Sequence, residues 1–322
     1  MLSRSIKQLK PGEKITEFFI IRKKEIRTKK TDNEHYLALE LGLPTGRISA
    51  TIWQEVEEQN EIYHIGDIVK IKGRIIDYKG KTSLVIEKMK ALCDEDHLIP
   101  ADFLPGPKKE LDQLRGEFNK IIQSIRNKYL EELLTRMFSE KDTRHLFEQI
   151  PAGKLWHHNR LAGLFEHTIS MVQICDFLSS HYPTINRDII ITATILHDIG
   201  KIKSYAIDRG FIEYTDEGRL VGHVALGASS VERIIADIPE FPGELRKQIL
   251  HLILSHHGEL AHGAPVVPMT LEAIVLYMVD QLDSKVDAFL RIAESEQEEG
   301  KKWSNYVKLM DRFFYFPDSD KQ

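Results

Sequence analysis

The sequence predicts a multidomain chain of mixed class, a small all-β barrel followed by an all-α domain, and three observations predict it. Residues 13–92 are rich in β-branched and aromatic residues broken by short turn motifs. Residues 93–107 carry Pro100, Pro105, Gly106 and Pro107 and read as a linker. From residue 108 to about 292 the apolar residues recur at steps of three and four, the period of helices. A length of 322 residues, 42% apolar and 29% charged, is that of a globular chain of about two domains.

In the first domain, 15–26, 36–43 and 47–53 read as strands, with Leu43-Pro44-Thr45-Gly46 turning between the last two. A short polar helix over 54–61 follows. Gly66-Asp67 then turns into a strand over 68–78, and Lys79-Gly80-Lys81 closes a hairpin with 83–86. Three strands, a helix and a hairpin is the order of an OB-fold barrel, which commonly binds single-stranded nucleic acid through basic groups and stacking aromatics. Arg22, Lys23, Lys24, Arg27, Lys29 and Lys30, with Phe18, Phe19, Tyr36 and Trp53, are the candidates of the right type; Phe18 and Trp53 equally suit the barrel core. Charge points the same way: residues 1–92 carry 18 Lys and Arg against 13 Asp and Glu, while the rest carries 26 against 36. A basic module joined to an acidic one suits a polyanion-binding part beside a metal-binding part, and on charge alone it equally suits a solvated basic surface.

In the second domain Leu111, Leu114, Phe118, Ile121, Ile125, Tyr129, Leu133 and Met137 predict one long amphipathic helix. The run 189–196 reads as a buried helix, with Gly200 as its stop and His197-Asp198 at its end. Residues 204–223 read as a hairpin insertion. The tail from Lys301 is aromatic and is expected to dock on the core or on a neighbouring subunit.

Of 14 histidines, 11 lie between His145 and His262, which directs the search for a metal site to the helical domain. His167 lies in an apolar helix, His223 follows the hairpin, and His256-His257 closes the apolar run 249–254. Asp280 ends the buried run 273–279, where a charge is costly unless it is paired or coordinating. Any one of these is more often a satisfied core residue than a ligand. The ordered set His167, His197-Asp198, His223, His256-His257 and Asp280 offers imidazole nitrogens and carboxylate oxygens from successive helices, a donor set for divalent cations.

His167, His197-Asp198 and Asp280 resemble the ligand pattern of the HD-domain superfamily of metal-dependent phosphohydrolases, and His223, His256 and His257 resemble its binuclear branch. The resemblance implies one metal on His167, His197, Asp198 and Asp280 and a second on His223, His256 and His257, with Asp198 bridging. Two such cations can activate a water and hold both the attacking and leaving oxygens of a phosphoryl displacement. Lys201, one turn on, would steady a phosphate oxygen, which makes Asp198 and Lys201 the catalytic candidates. An OB-fold, a linker helix and an HD domain with Trp156-His157-His158-Asn159, Gly163-Leu164-Phe165-Glu166-His167-Thr168, Tyr214-Thr215-Asp216-Glu217-Gly218 and Ser255-His256-His257-Gly258 resemble the YhaM-type 3′→5′ exoribonuclease family along nearly the whole chain. That implies release of nucleoside 5′-monophosphates from the 3′ end of single-stranded RNA, and often of DNA, with two divalent ions, manganese or cobalt favoured and iron(II) and magnesium as the alternatives. It also implies a homo-oligomer. His157, His158 and Asn159 are candidate substrate contacts. Glu166, His251 and Asp283 read as supporting residues, Asp283 as one that orients a ligand.

Two other readings compete: an HD-domain phosphodiesterase or nucleotidase for small cyclic nucleotides, and a nucleic-acid-binding regulator with a vestigial site. Cys93 and Cys175 show no disulfide or thiolate-zinc spacing, and no apolar run approaches a membrane span, so a cytoplasmic protein is expected.

Overall fold

Alternation along the first strands builds a barrel interior. In the computed structural model, which describes residues 5–29, 31, 33–154, 158–297 and 300–317, β1 (Lys14–Thr28), β2 (His35–Leu43) and β3 (Gly46–Ile52) form an antiparallel meander. On β2 the residues Leu37, Leu39 and Leu41 all point inward, the period-2 pattern of a half-buried strand. Helix α1 (Val56–Ile62) leads to β4 (Ile68–Tyr78) and β5 (Lys81–Ala91), which are joined by Lys79 and Gly80, both at positive φ as a tight two-residue hairpin requires. The strand order β1-β2-β3-β5-β4 closes because β1 is long enough to pair with both β2 and β4.

Two features depart from the pattern in the sequence. A bulge in β1 interrupts the ladder between Ile21 and Lys23, and Arg22 at the bulge is buried beside Ile20 and Gly42 rather than exposed. Gly42 opposite leaves it room: a Cβ there would stand 2.6 Å from Arg22 Nε. The stretch 93–107 is not a free linker, since it forms short 3-10 turns over Asp94–Asp96 and Pro100–Phe103 and buries Phe103 fully in the barrel core. The chain divides into two units, residues 1–106 with 207–213, and 107–206 with 214–322. The tip of the hairpin insertion thus belongs to the barrel unit, where Arg22 donates to Gly210 O and Phe103 O and lies over the Phe211 ring.

The second unit is helical: α2 (Leu111–Gln123), α3 (Lys128–Ser139), α4 (Lys141–Gln149), α5 (Gly163–His181), α6 (Arg187–Leu196), α7 (Lys201–Ser204), α8 (Asp216–Leu220), α9 (His223–Ala236), α10 (Gly243–Ser255) and α11 (Leu271–Glu296). The hairpin strands β6 (Tyr205–Asp208) and β7 (Phe211–Tyr214) lie between α7 and α8. The predicted single helix over 111–137 is two helices. Asp188 Oδ2 accepts from the amides of Arg126 and Asn127, and Asn127 Oδ1 caps α3 by accepting from Tyr129 and Leu130. Helix α6 is buried from Ile189 to Leu196 and packs against α5 and α10, while Phe118, Phe138, Phe147 and Phe165 form an edge-on cluster. Burial of each such side chain contributes about 1.5–3 kcal/mol. In the tail, Phe314 and Phe316 pack on Phe289 of α11, whereas Trp303, Tyr306, Phe313 and Tyr315 are exposed. Among the described residues no helix is long and apolar enough to cross a membrane.

Candidate metal centre

Helix ends bring the imidazoles together. His197 and His256 follow the last turns of α6 and α10, and each turns its Nδ1 onto a carbonyl of that turn, Thr194 O at 2.7 Å and Ile253 O at 2.6 Å. A carbonyl only accepts, so in each ring Nδ1 carries the proton and Nε2 presents its lone pair. His257 is held in the same way by His262 O at 3.0 Å. Gly258, at φ +79°, and Gly263, at φ +86°, supply the left-handed backbone this turn needs.

Asp198 stands between two groups of histidines. Its Oδ2 lies 3.2 Å from His197 Nε2 and 4.0 Å from His167 Nε2. Its Oδ1 lies 3.4 Å from His223 Nε2 and 3.6 Å from His256 Nε2. Asp280 Oδ1 is 3.3 Å from His167 Nε2, and the Nε2 atoms of His223 and His257 are 3.2 Å apart. All seven residues singled out in the sequence therefore converge. Asp280 does so from the middle of α11 rather than from a helix end, since α11 runs on for four turns beyond it.

The donor chemistry fits divalent cations. Among the described residues His197 Nε2, Asp198 Oδ1 and His256 Nε2 are buried with no hydrogen-bond partner, a costly arrangement unless a cation shares them. Two sets of three, His167-His197-Asp198 and His223-His256-His257, each have ligand atoms within 4.8 Å of one another. Imidazole nitrogen with carboxylate oxygen suits first-row divalent ions. Charge within the cluster agrees for Asp198, His223 and His256. Burial opposes ionisation of Asp198, but Lys201, His197 and His223 together hold its carboxyl well below the usual range. Burial pushes His223 down to about 3, and burial with the nearby His197 pushes His256 well down too. Burial also pulls on His167, but its bonds to Asp280 and Asp283 outweigh that and raise it to about 9.

Other residues singled out in the sequence are placed differently. Lys201 is buried with Nζ 2.5 Å from Asp198 Oδ2, so in this structure it pairs with the aspartate. His158, read as a candidate substrate contact, is buried and bonded to Asp283 and Asp287; Asn159 is half-buried, and His157 and Trp156 lie outside the described residues. Glu166 accepts from the Lys108 and Lys109 amides and from Arg160, and His251 accepts from the Met269 amide. Asp283 takes His167 Nδ1 at 2.8 Å. Arg160, Ser170 and Asp287, which complete this layer, escaped the sequence reading. Asp280, Asp283 and Asp287 recur at helical spacing directly after the apolar run 273–279, and that was the available signal.

On the barrel, Arg22 is buried and committed to Gly210 O and Phe103 O, Lys24 Nζ is tied to Asn60 O and Tyr63 O, and Phe19 is core. Lys23 is exposed and pairs with Glu40, and Arg27 pairs with Glu25. Tyr36 and Trp53 stack at 4.8 Å with Lys29 over the Trp53 ring, beside an open groove of about 550 Å³ running to Lys88 and Lys90. Phe18 is half-buried under Lys70, and Lys30 lies outside the described residues.

Residues 164–285 match the HD domain family. The chain is 31% identical over 323 residues to the 3′-5′ exoribonuclease YhaM of Shouchella clausii (strain KSM-K16), covering 100% of this chain and 99% of that protein. It is 28% identical over 313 residues to the 3′-5′ exoribonuclease YhaM of Bacillus subtilis (strain 168), covering 96% and 97%. Among solved structures it matches the second OB-fold domain of replication protein A from Methanococcus maripaludis at 20% identity and a TM-score of 0.23, covering 28% of this chain and 93% of that one.

Proposed function

The chain belongs to the 3′-5′ exoribonuclease YhaM family and is a metal-dependent exoribonuclease; from that premise we propose that it shortens single-stranded RNA, and single-stranded DNA, from the 3′ end to nucleoside 5′-monophosphates at a two-cation centre around Asp198. The observation that carries the reading is the division of Asp198 between two histidine groups, Oδ2 toward His197 and His167 and Oδ1 toward His223 and His256. His167, His197, Asp198 and Asp280 would hold one cation, and Asp198, His223, His256 and His257 the other, manganese suiting this donor set. Two such cations supply Lewis acidity to the scissile phosphate and lower the pKa of the attacking water.

The chain's own residues orient and exclude. Carbonyls of Thr194, Ile253 and His262 fix Nε2 of three histidines toward the centre. Lys201 keeps Asp198 ionised. His167, His197 and His256 are at most 1% exposed, whereas the His223 side chain is 22% exposed, so the 3′ end enters along the His223–His257 edge.

On the barrel, Tyr36, Trp53, Lys29 and Arg27 form the strand-holding surface. Trp53→Ala is expected to weaken binding of a single-stranded RNA by about 1–3 kcal/mol, the worth of one stacked base. Fluorescence anisotropy reads this, and affinity unchanged within twofold removes Trp53 from the surface. Ile274, Met278, Leu282 and Val286 leave an apolar stripe half-exposed along α11, which supports a homo-oligomer to be tested by sedimentation. A cytoplasmic setting suits two free cysteines.

The deciding experiment incubates the protein with manganese and a 5′-labelled single-stranded RNA of about 20 nucleotides. A ladder shortening from the 3′ end supports the reading. An intact strand with the metal shown to be bound transfers the activity to small nucleotides.

A further inference from the structure

Behind His167 lies a buried chain of polar groups that touches neither Asp198 nor the second histidine group. Asp283 Oδ2 stands 2.8 Å from His167 Nδ1 and 2.8 Å from His158 Nε2, and Asp283 Oδ1 accepts from Ser170 Oγ. His158 in turn has Arg160 Nη2 3.0 Å from its Nδ1. Arg160 is itself held by Glu166 Oε2 at 2.6 Å and by Asp287 Oδ1 at 3.1 Å, and Asp287 Oδ2 accepts the His158 amide at 2.7 Å.

The direction of these bonds follows from what each group can do. A guanidinium only donates, so His158 Nδ1 must accept, and the one proton of the neutral ring sits on Nε2. His158 therefore donates to Asp283. The same carboxylate oxygen accepts from His167 Nδ1, which leaves His167 Nε2 as the atom directed at Asp280 and Asp198. His158, His167 and Asp283 also have ligand atoms close enough together to hold a cation of their own, but the guanidinium against His158 makes that spot hostile to a second positive charge.

We propose that Arg160 is a positioning residue: by donating to His158 Nδ1 it fixes His158 as the Nε2–H tautomer, and that ring holds Asp283 in the one orientation that aims His167 Nε2 at the centre. Without Arg160 the His158 ring can move its proton to Nδ1. It then faces Asp283 with a lone pair, and the carboxylate must turn away from one histidine or the other. The inference rests on the proposed role of His167 as a ligand, but the tautomer of His158 does not depend on that role.

The test uses the full chain labelled with ¹⁵N-histidine. Long-range ¹H–¹⁵N correlations read the tautomers, and manganese titration reads the affinity of the centre. In the wild type we expect the His158 proton on Nε2 and a proton on His167 Nδ1. Arg160→Met should mix the His158 tautomers and weaken the tighter-binding manganese ion by about 10- to 100-fold, the usual effect of losing an outer-shell partner. Arg160→Lys, which can still only donate, should restore the wild-type tautomer and most of the affinity, a rescue that a purely structural role for the ion pairs with Glu166 and Asp287 does not predict for the His158 signal. A wild-type His158 proton on Nδ1 overturns the proposal. So do unchanged tautomers in Arg160→Met, or equal defects in the Met and Lys variants. If Arg160→Met does not fold, the wild type and Arg160→Lys decide alone. Predicted tautomers in a wild-type protein that takes up no manganese leave the relay standing and overturn the two-cation reading instead.

Discussion

Asp198→Ala lowers 3′-end cleavage of single-stranded RNA by at least about a thousandfold, about 4 kcal/mol of lost transition-state stabilisation, and lowers bound manganese in the same preparation. No neighbour can replace it, because each of its two oxygens faces a different histidine group and both are buried. Alanine also leaves the Lys201 ammonium buried without its carboxylate, so part of any loss could come from a loosened fold. Asp198→Asn separates the two effects: it keeps the side-chain volume and an oxygen for Lys201 but cannot carry the bridging charge, and it should be as inactive as alanine while melting closer to the wild type. Single-strand binding should persist in both, since Tyr36 and Trp53 are untouched. Chelation should silence the wild type and manganese should revive it. Hydrolysis above a tenth of the wild-type rate in a chelated Asp198→Ala preparation would refute the centre.

Gly200→Ala is the second large effect, and it comes from a residue with no chemistry at all. A Cβ on Gly200 would stand 2.0 Å from His223 O and 2.5 Å from Gly227 N, backbone atoms of α9 that cannot step aside as a side chain can. Its φ of −65° is ordinary, so Gly200 is not the left-handed helix stop its position suggests; it is a point of close approach. Overpacking of this kind costs about 3 kcal/mol, roughly 6–12 °C in Tm for a unit of this size. Because the displaced atom belongs to His223, cleavage should fall further than the lost stability explains. Gly116, in mid-helix with nothing within 4 Å of its Cβ position, is the control: Gly116→Ala should stabilise by about 0.5–1 kcal/mol. A Gly200→Ala protein that melts with the wild type refutes the contact.

What the sequence made legible was what repeats locally. The barrel followed from strand alternation, as Leu37, Leu39 and Leu41 illustrate, and the histidines and Asp198 stood out because polar pairs ending apolar runs are rare. The hidden parts depend on residues far apart in the chain. Arg22 looked like a strand contact because the carbonyl that takes its guanidinium, Gly210 O, comes 188 residues later. The break between α2 and α3 is made by Asp188, about 60 residues on, and the layer behind His167 joins Arg160 to Asp283 and Asp287 across more than 120 residues. Lys201 had the right type and position, but only coordinates show which way it points.

The membership of residues 207–213 in the barrel unit bears on how this protein can be dissected or recombined. A barrel of this kind is usually imagined as a cassette that can be cut off and grafted elsewhere. Here no single cut frees it, because one acceptor for the Arg22 guanidinium, Gly210 O, arrives from a hairpin well over a hundred residues after the last barrel strand, and a Cβ on Gly66 would stand 2.6 Å from Arg209 of that same hairpin. A fragment ending at residue 106 keeps a buried cation stripped of one of its two acceptors, and the complementary fragment carries a loop shaped for a host it no longer has. Only a transplant of both pieces moves the barrel whole.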